Sequence, residues 1–265
     1  MNHPALAFSL QGIGLLGPGL RDWAAGQAML REPSLWRQTP TPAAAPQRLP
    51  ATERRRAGTV VKASIVVADE ASAAAGLDLA TLATVFASST GDPANCHALC
   101  EALAAPERLV SPTRFTNSVH NAASGYWHIA TRSMAASTSL AAYDASFAAG
   151  LLEAVAQCVS SAAPVLLVCC DVPYPAPLHG VRPIADAMAV ALVIAPVRAG
   201  SPRLTLRAVA AATVTPCGHA ALDALRRAIP AARALPLLQA IARGQARRVI
   251  VESLPGQDLE VELQP

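Results

Sequence analysis

The stretch AAYDASFAAGLLEAVAQCVS, residues 141–160, is followed after a short break by VLLVCC, residues 165–170. Together they decide the architecture. The first reads as a long Ala-rich helix, the second as a strand apolar at every position and therefore buried on both faces. A second continuous apolar run, AMAVALVI at residues 187–194, reads the same way. Working outward, further strands are expected at residues 5–11, 82–87 (closed by Ser88-Ser89-Thr90-Gly91), 204–213, 248–252 and 259–263, with a strand or turn at 137–140. Helical stretches are expected at 20–31, 54–75, 93–104 with Asp92 as N-cap, 220–229 and 235–242. Strands that alternate with helices over most of the length make an α/β layered sheet. Residues 33–50, rich in Pro and Ala and without periodicity, read as a flexible loop.

Composition narrows the function classes. Of 265 residues, 52% are hydrophobic and 15% charged, so most of the chain must bury surface and a disordered, solvating role is excluded. Aromatics are only 4%, so the core is built from Ala, Val and Leu, and stacking platforms for nucleic acid are scarce. A net charge of +3 is too small to imply a nucleic-acid partner. The longest apolar stretches fall short of the eighteen or so residues of a membrane span. The amino-terminal run lacks a basic lead and is cut by Gln11 and several glycines, so no signal peptide is expected. Six cysteines without a secreted framework fit reduced thiols in a cytoplasm.

Several motifs invite chemistry. Gly12-x-Gly14-x-x-Gly17 matches a dinucleotide fingerprint, but Pro18-Gly19 interrupts the helix start and no acidic residue stands at the right distance. A tight strand-to-helix turn is the preferred reading, and no cofactor is expected. Cys96-His97-x-x-Cys100 places two thiols on one helical face. With no second Cys/His pair at finger spacing, inert cysteines are favoured over a metal, although His120, His128, His179 and His219 could converge in space. No Gly-x-Ser-x-Gly elbow is present. Ser139 and Ser118 are the candidate nucleophiles, with His120 as base, and no acidic orienter is evident. SPTRFTNSVHNAASGYWHIA, residues 111–130, gathers amides, histidines and large aromatics in an otherwise aliphatic chain. It reads either as a capped helix with Tyr126 and Trp127 filling a core or subunit contact, or as a pocket wall or partner surface.

NSVHNAASGYW (residues 117–127), with SLAAYDASFAAGLL (residues 139–152), resembles the β-ketoacyl synthase-like N-terminal domain proteins. These are short relatives of the condensing enzymes of fatty acid and polyketide synthesis, often encoded in aryl polyene pigment clusters. Residues 8–19 are similar to the family's first strand and Gly-rich turn, and residues 84–91 to the strand and small-residue turn before the acyl pocket. Arg182-Pro183-Ile184 through residue 194 resembles a shortened Arg-Pro-Phe-Asp region and its strand. The resemblance covers roughly residues 5–215. It implies the N-terminal half of the thiolase/ketoacyl synthase fold over residues 1–215, with residues 216–265 a diverged tail packed on it.

The departures matter more than the match. The family carries a nucleophilic Cys on a strained turn at the start of its long buried helix. Here Leu140 is expected at that position, or Ser139 with a one-residue shift, and none of the six cysteines lies there. Leu cannot accept an acyl group, and Ser lacks the thiolate that makes the chemistry easy. The resemblance therefore implies an inactive subunit of chain length factor type. Such a subunit forms a heterodimer with a full-length synthase and closes a tunnel for chains borne by acyl carrier protein. Asn117, His120, Asn121, Tyr126, Trp127, Leu140, Tyr143 and Phe147 are the expected tunnel or interface residues, with ordinary helix-core packing the alternative for Leu140, Tyr143 and Phe147. Arg54–Arg56 and Arg247-Arg248 could attract the acidic carrier. The alternative from another class is a stand-alone acyltransferase or thioester hydrolase using Ser139 or Ser118 with His120.

Overall fold

The computed structural model describes residues 4–198, 200 and 202–264. Among the described residues eight strands form one mixed sheet. They are β1 (Leu6–Leu16), β2 (Ala83–Ala87), β3 (Ser137–Leu140), β4 (Val165–Asp171), β5 (Met188–Ala195), β6 (Arg203–Ala210), β7 (Arg247–Val251) and β8 (Gln257–Gln264), in the order β3-β2-β4-β5-β1-β6-β8-β7. The helices are α1 (Trp23–Arg31), α2 (Ala51–Arg56), α3 (Thr59–Ala75), α4 (Pro93–Ala104), α5 (Pro112–Thr116), α6 (Ala122–Thr131), α7 (Ser146–Ser161), α8 (Ala220–Ala228) and α9 (Leu235–Arg243).

The central strands divide two helix layers by simple alternation. Val165, Leu167 and Cys169 of β4, with Met188, Val190, Leu192 and Ile194 of β5, face the core shared with α7, α8 and α9. Leu166, Val168 and Cys170, with Ala189, Ala191 and Val193, face the core shared with α3 and α6. Successive strand side chains point to opposite faces, and burial of both explains the continuous apolar runs. The tail does not form a separate unit: α8 and α9 join the α7 layer, and β7 and β8 extend the sheet beyond β6.

Three expectations are corrected. The turn expected from Gly12 starts only at Gly17, where Gly17–Leu20 closes before α1; Gly12 and Gly14 lie inside β1. A Cβ on Gly12 would stand 1.9 Å from the Ala71 carbonyl oxygen, and one on Gly14 would stand 2.0 Å from that of Val67. The glycines are there so that α3 can rest on strand backbone. Glu70 fastens the same contact, accepting the N–H groups of Leu15 at 2.9 Å and Trp23 at 2.6 Å. The expected helix over 54–75 is two, broken at Ala57-Gly58. The long helix expected from residue 141 starts at Ser146, because residues 141–145 make an irregular turn first.

The Pro- and Ala-rich segment 33–50 carries only one short 3₁₀ turn, Pro33–Leu35. It is fastened at Trp36, whose indole N–H donates to the Pro18 carbonyl, and at Thr41, whose N–H and hydroxyl meet Asp186 and the Ala187 carbonyl.

Candidate functional site

β2 runs parallel to both β3 and β4, so the carboxyl ends of the three strands open on one end of the sheet, where α/β folds place their ligands. Three segments meet there: the Ser88–Gly91 turn after β2, the turn between β3 and α7, and Asp171 at the end of β4.

Asp171 is fully buried, and its Oδ1 accepts the Ser89 N–H at 2.7 Å and the Ser88 hydroxyl at 3.4 Å. Burial pushes its carboxyl up to about 6, against the opposing pull of the Ser89 and Ala231 N–H groups and of Arg182. Arg182, from the connection between β4 and β5, donates to the Ser89 hydroxyl at 2.7 Å and to Asp144 at 2.8 Å. Its guanidinium also lies over the Tyr143 ring, 3.6 Å from the centroid. Arg233 closes the cluster from the far side, donating to the Asp144 carbonyl at 2.8 Å and reaching Glu252 at 3.5 Å.

Tyr143 is the residue that the turn strains. Its φ is +52°, a left-handed conformation that costs a residue with a Cβ, and its side chain is 64% exposed. Leu140, expected on the turn, instead ends β3 in register with Ala87 and packs against the α7-side core. Ser139 also stays within the strand. The sequence concealed this because Ala141-Ala142 are good helix formers and the left-handed residue is not a glycine.

The three candidates for nucleophilic catalysis are not brought together. The Ser118 hydroxyl donates to the Phe115 carbonyl at 2.7 Å, and the Ser139 hydroxyl donates to that of Ser124 at 3.3 Å. His120 Nε2 meets the Ser88 carbonyl at 3.1 Å; a carbonyl only accepts, so this nitrogen carries the proton. Among the described residues no hydrogen bond joins either serine to His120. A base outside hydrogen-bond reach cannot activate its nucleophile.

The remaining expected residues separate into interior and edge. Asn117 is buried, donating to the Arg56 carbonyl and accepting the Tyr126 hydroxyl at 3.1 Å, which ties α6 to the end of α2. Trp127 and Phe147 are fully buried on opposite sides of the sheet. Asn121 lies at the edge, where Asn121, Ser124, Gly125 and His128 of the α6 stripe face Ser137 and Ser139 across a trough of about 480 Å³. His97 pairs with Glu101 at 3.3 Å on α4, and among the described residues no three His, Cys, Asp or Glu side chains gather as metal ligands. Asp144, Arg233 and Glu252 escaped the sequence reading, since nothing local marks residues that meet only through the fold. Asp171 left one signal, an acid closing an all-apolar strand.

The family model for the β-ketoacyl synthase N-terminal domain matches residues 23–251, and the chain belongs to that family. Among solved structures it is similar to a chain of the complex between the ketosynthase ApeO and its chain length factor ApeC from Xenorhabdus doucetiae. That match has 21% identity and a TM-score of 0.75, covering 97% of this chain and 99% of the other. The ishigamide ketosynthase/chain length factor follows at 13% identity and a TM-score of 0.73, covering 97% and 99%. A type II polyketide ketosynthase in complex with its acyl carrier protein matches at 12% identity and a TM-score of 0.73, covering 98% and 99%. At these identities the likeness is one of fold. No curated protein sequence matches. No helix among the described residues is long and apolar enough to cross a membrane.

Proposed function

We propose that this chain is a non-catalytic β-ketoacyl synthase-like subunit of chain length factor type. In this reading it pairs with an active synthase in type II fatty acid or polyketide synthesis of the aryl polyene kind. Tyr143 carries the reading. The family resemblance calls for a thiol on the strained turn before the long buried helix, and the left-handed residue of that turn is a phenol beneath a guanidinium. The buried cysteines offer no substitute. Burial drives the Cys217 thiol up to about 12, and drives Cys169 and Cys170 well above the ordinary range, whereas acyl capture needs a thiolate.

Pairing is supported by the edge at β3. Among the described residues no strand lies on its outer side, and Phe115, Val119, Ile129 and Met134 are exposed in the segments leading to it. A synthase subunit covering this edge would bury them, together with the trough that Asn121 and Ser139 line. The acyl tunnel then lies between the two subunits. For the carrier protein, Arg55, Arg56 and Arg114 line a cleft of about 430 Å³ that suits an acidic partner. The assembly is placed in the cytoplasm, with its thiols reduced.

Co-expression with the full-length β-ketoacyl synthase of the same genome tests the pairing. The expected outcome is a one-to-one complex in size exclusion and aggregation of the chain expressed alone. A well-behaved monomer or homodimer that ignores the synthase overturns it. Thioester turnover by the chain alone, lost on Ser139→Ala or His120→Ala, would overturn the non-catalytic assignment.

A further inference from the structure

Among the described residues four non-glycine residues have positive φ: Arg108, Arg132, Tyr143 and Ala162. Arg132 and Ala162 cap the ends of α6 and α7, and Arg108 lies in the turn after α4, all ordinary places for a left-handed residue. Tyr143 precedes a helix, so helix termination does not account for it. Strain of this kind persists only where the surroundings over-determine it. Here they do: Arg182 stacks on the ring, Ser89 and Asp144 hold Arg182, and Arg233 holds Asp144. A relay of charged and polar groups from four chain regions fixes one exposed ring.

That ring lines a cleft of about 570 Å³, which Val214, Leu254 and Pro255 also line. The charged side chains of the lining, three carboxylates and one guanidinium, are all engaged within the protein. Arg233 pairs with both Asp144 and Glu252, and Asp258 accepts the N–H groups of Ala212 and Ser253. The cleft's apolar residues suit a neutral, extended chain, and its carboxylates disfavour an anion.

We infer that Arg182 is a positioning residue that clamps Tyr143 as one wall of this cleft and thereby limits the cross-section the cleft admits. The inference goes beyond the pairing proposed above and does not need it. The stack favours the clamped ring about tenfold over a released one.

A reporter thiol tests it. In a Cys96→Ser, Cys100→Ser background, Val214→Cys places a thiol in the cleft, in the chain co-expressed with its synthase if that is the soluble form. N-methylmaleimide and a biphenyl maleimide are compared for labelling rate, with circular dichroism to confirm the fold. With Tyr143 and Arg182 intact, the bulky reagent is expected to react about tenfold more slowly, the preference the stack gives the closed wall. Tyr143→Gly, which suits the left-handed turn, should bring the two rates together, and Arg182→Ala should do the same. Arg182→Lys, which keeps the charge opposite Asp144 but loses the planar stack, should behave like Arg182→Ala. An unchanged rate ratio in folded Tyr143→Gly overturns the wall. Convergence in Tyr143→Gly with none in folded Arg182→Ala overturns the clamp. Neither result bears on co-purification with the synthase, so the two readings fail separately.

Discussion

The sheet ends in two edges finished in opposite ways. At β7, Arg247 and Arg248 stand on the outermost strand, α9 packs against the strand, and Arg248 joins Arg207 around the buried carboxylate of Glu260. Charged side chains on an edge strand discourage a further strand from adding. At β3 the strand is Ser-Thr-Ser-Leu, without a charge, and the nearby Met134 is 95% exposed. One edge is blocked and the other is left small, uncharged and apolar-rimmed, which is the asymmetry that the proposed pairing uses.

The electrostatics repeat the contrast. On the β7 side Asp223 is held below the ordinary carboxylate range, first by its hydrogen bond from Arg226, so it adds stability that is lost as pH falls through that range. On the β3 side Asp171 is pushed up by burial. Its cluster is built for position at the expense of stability.

The largest expected effect comes from spoiling the open edge. Ile129→Asp combined with Met134→Asp should weaken the complex with the synthase at least about a hundredfold by calorimetry, while the fold survives because both side chains are exposed. Next comes pH. Asp171 titrates at about 6 in the folded chain against an ordinary value of 3.8, so between these values the folded state holds the extra proton. Stability therefore falls as pH rises through that window. Asp171→Asn should remove the slope, a difference of roughly 2 kcal/mol between pH 4 and pH 7 in urea titrations of the two proteins. A smaller effect is expected at the turn. Tyr143→Cys puts a thiol beside Arg182 at the N-terminus of α7, so it should be alkylated about tenfold faster than exposed Cys100 at neutral pH. Smallest is the guarded edge. Arg248→Val should cost about 1 kcal/mol in thermal unfolding, since Arg207 stays on the buried Glu260 carboxylate, yet raise light scattering with concentration as the edge loses its guard. Equal tolerance of Arg248→Val and the double Asp variant would erase the contrast between the edges.

What could be read before folding follows from how far each signal reaches along the chain. β4 and β5 were legible because burial on both faces leaves an unbroken apolar run, and the start of α4 because Asp92 caps it locally. The Gly12–Gly17 pattern misled because a tight turn and a close helix contact make the same demand, the absence of a Cβ. The turn before α7 was hidden behind helix-forming alanines. The site was the least legible part, since its geometry depends on contacts such as Arg233 to Asp144, 89 positions apart. The family resemblance led to an expectation of Leu140 on the turn before α7, whereas Leu140 ends β3 and the left-handed residue of the turn is Tyr143.

The seating of α3 on β1 has a consequence for how this sequence can drift. Elsewhere in the core a Val can become Ile if a neighbour shrinks, because side chains trade volume with one another. At Gly12 and Gly14 the opposing atoms are backbone carbonyls, which no compensating substitution can shorten. A saturation library selected for folding should therefore be nearly empty at these two positions, while Val193 and Ala191 beside them on β5 accept volume-compensated change. Two residues with no side chain would be among the least replaceable in the protein.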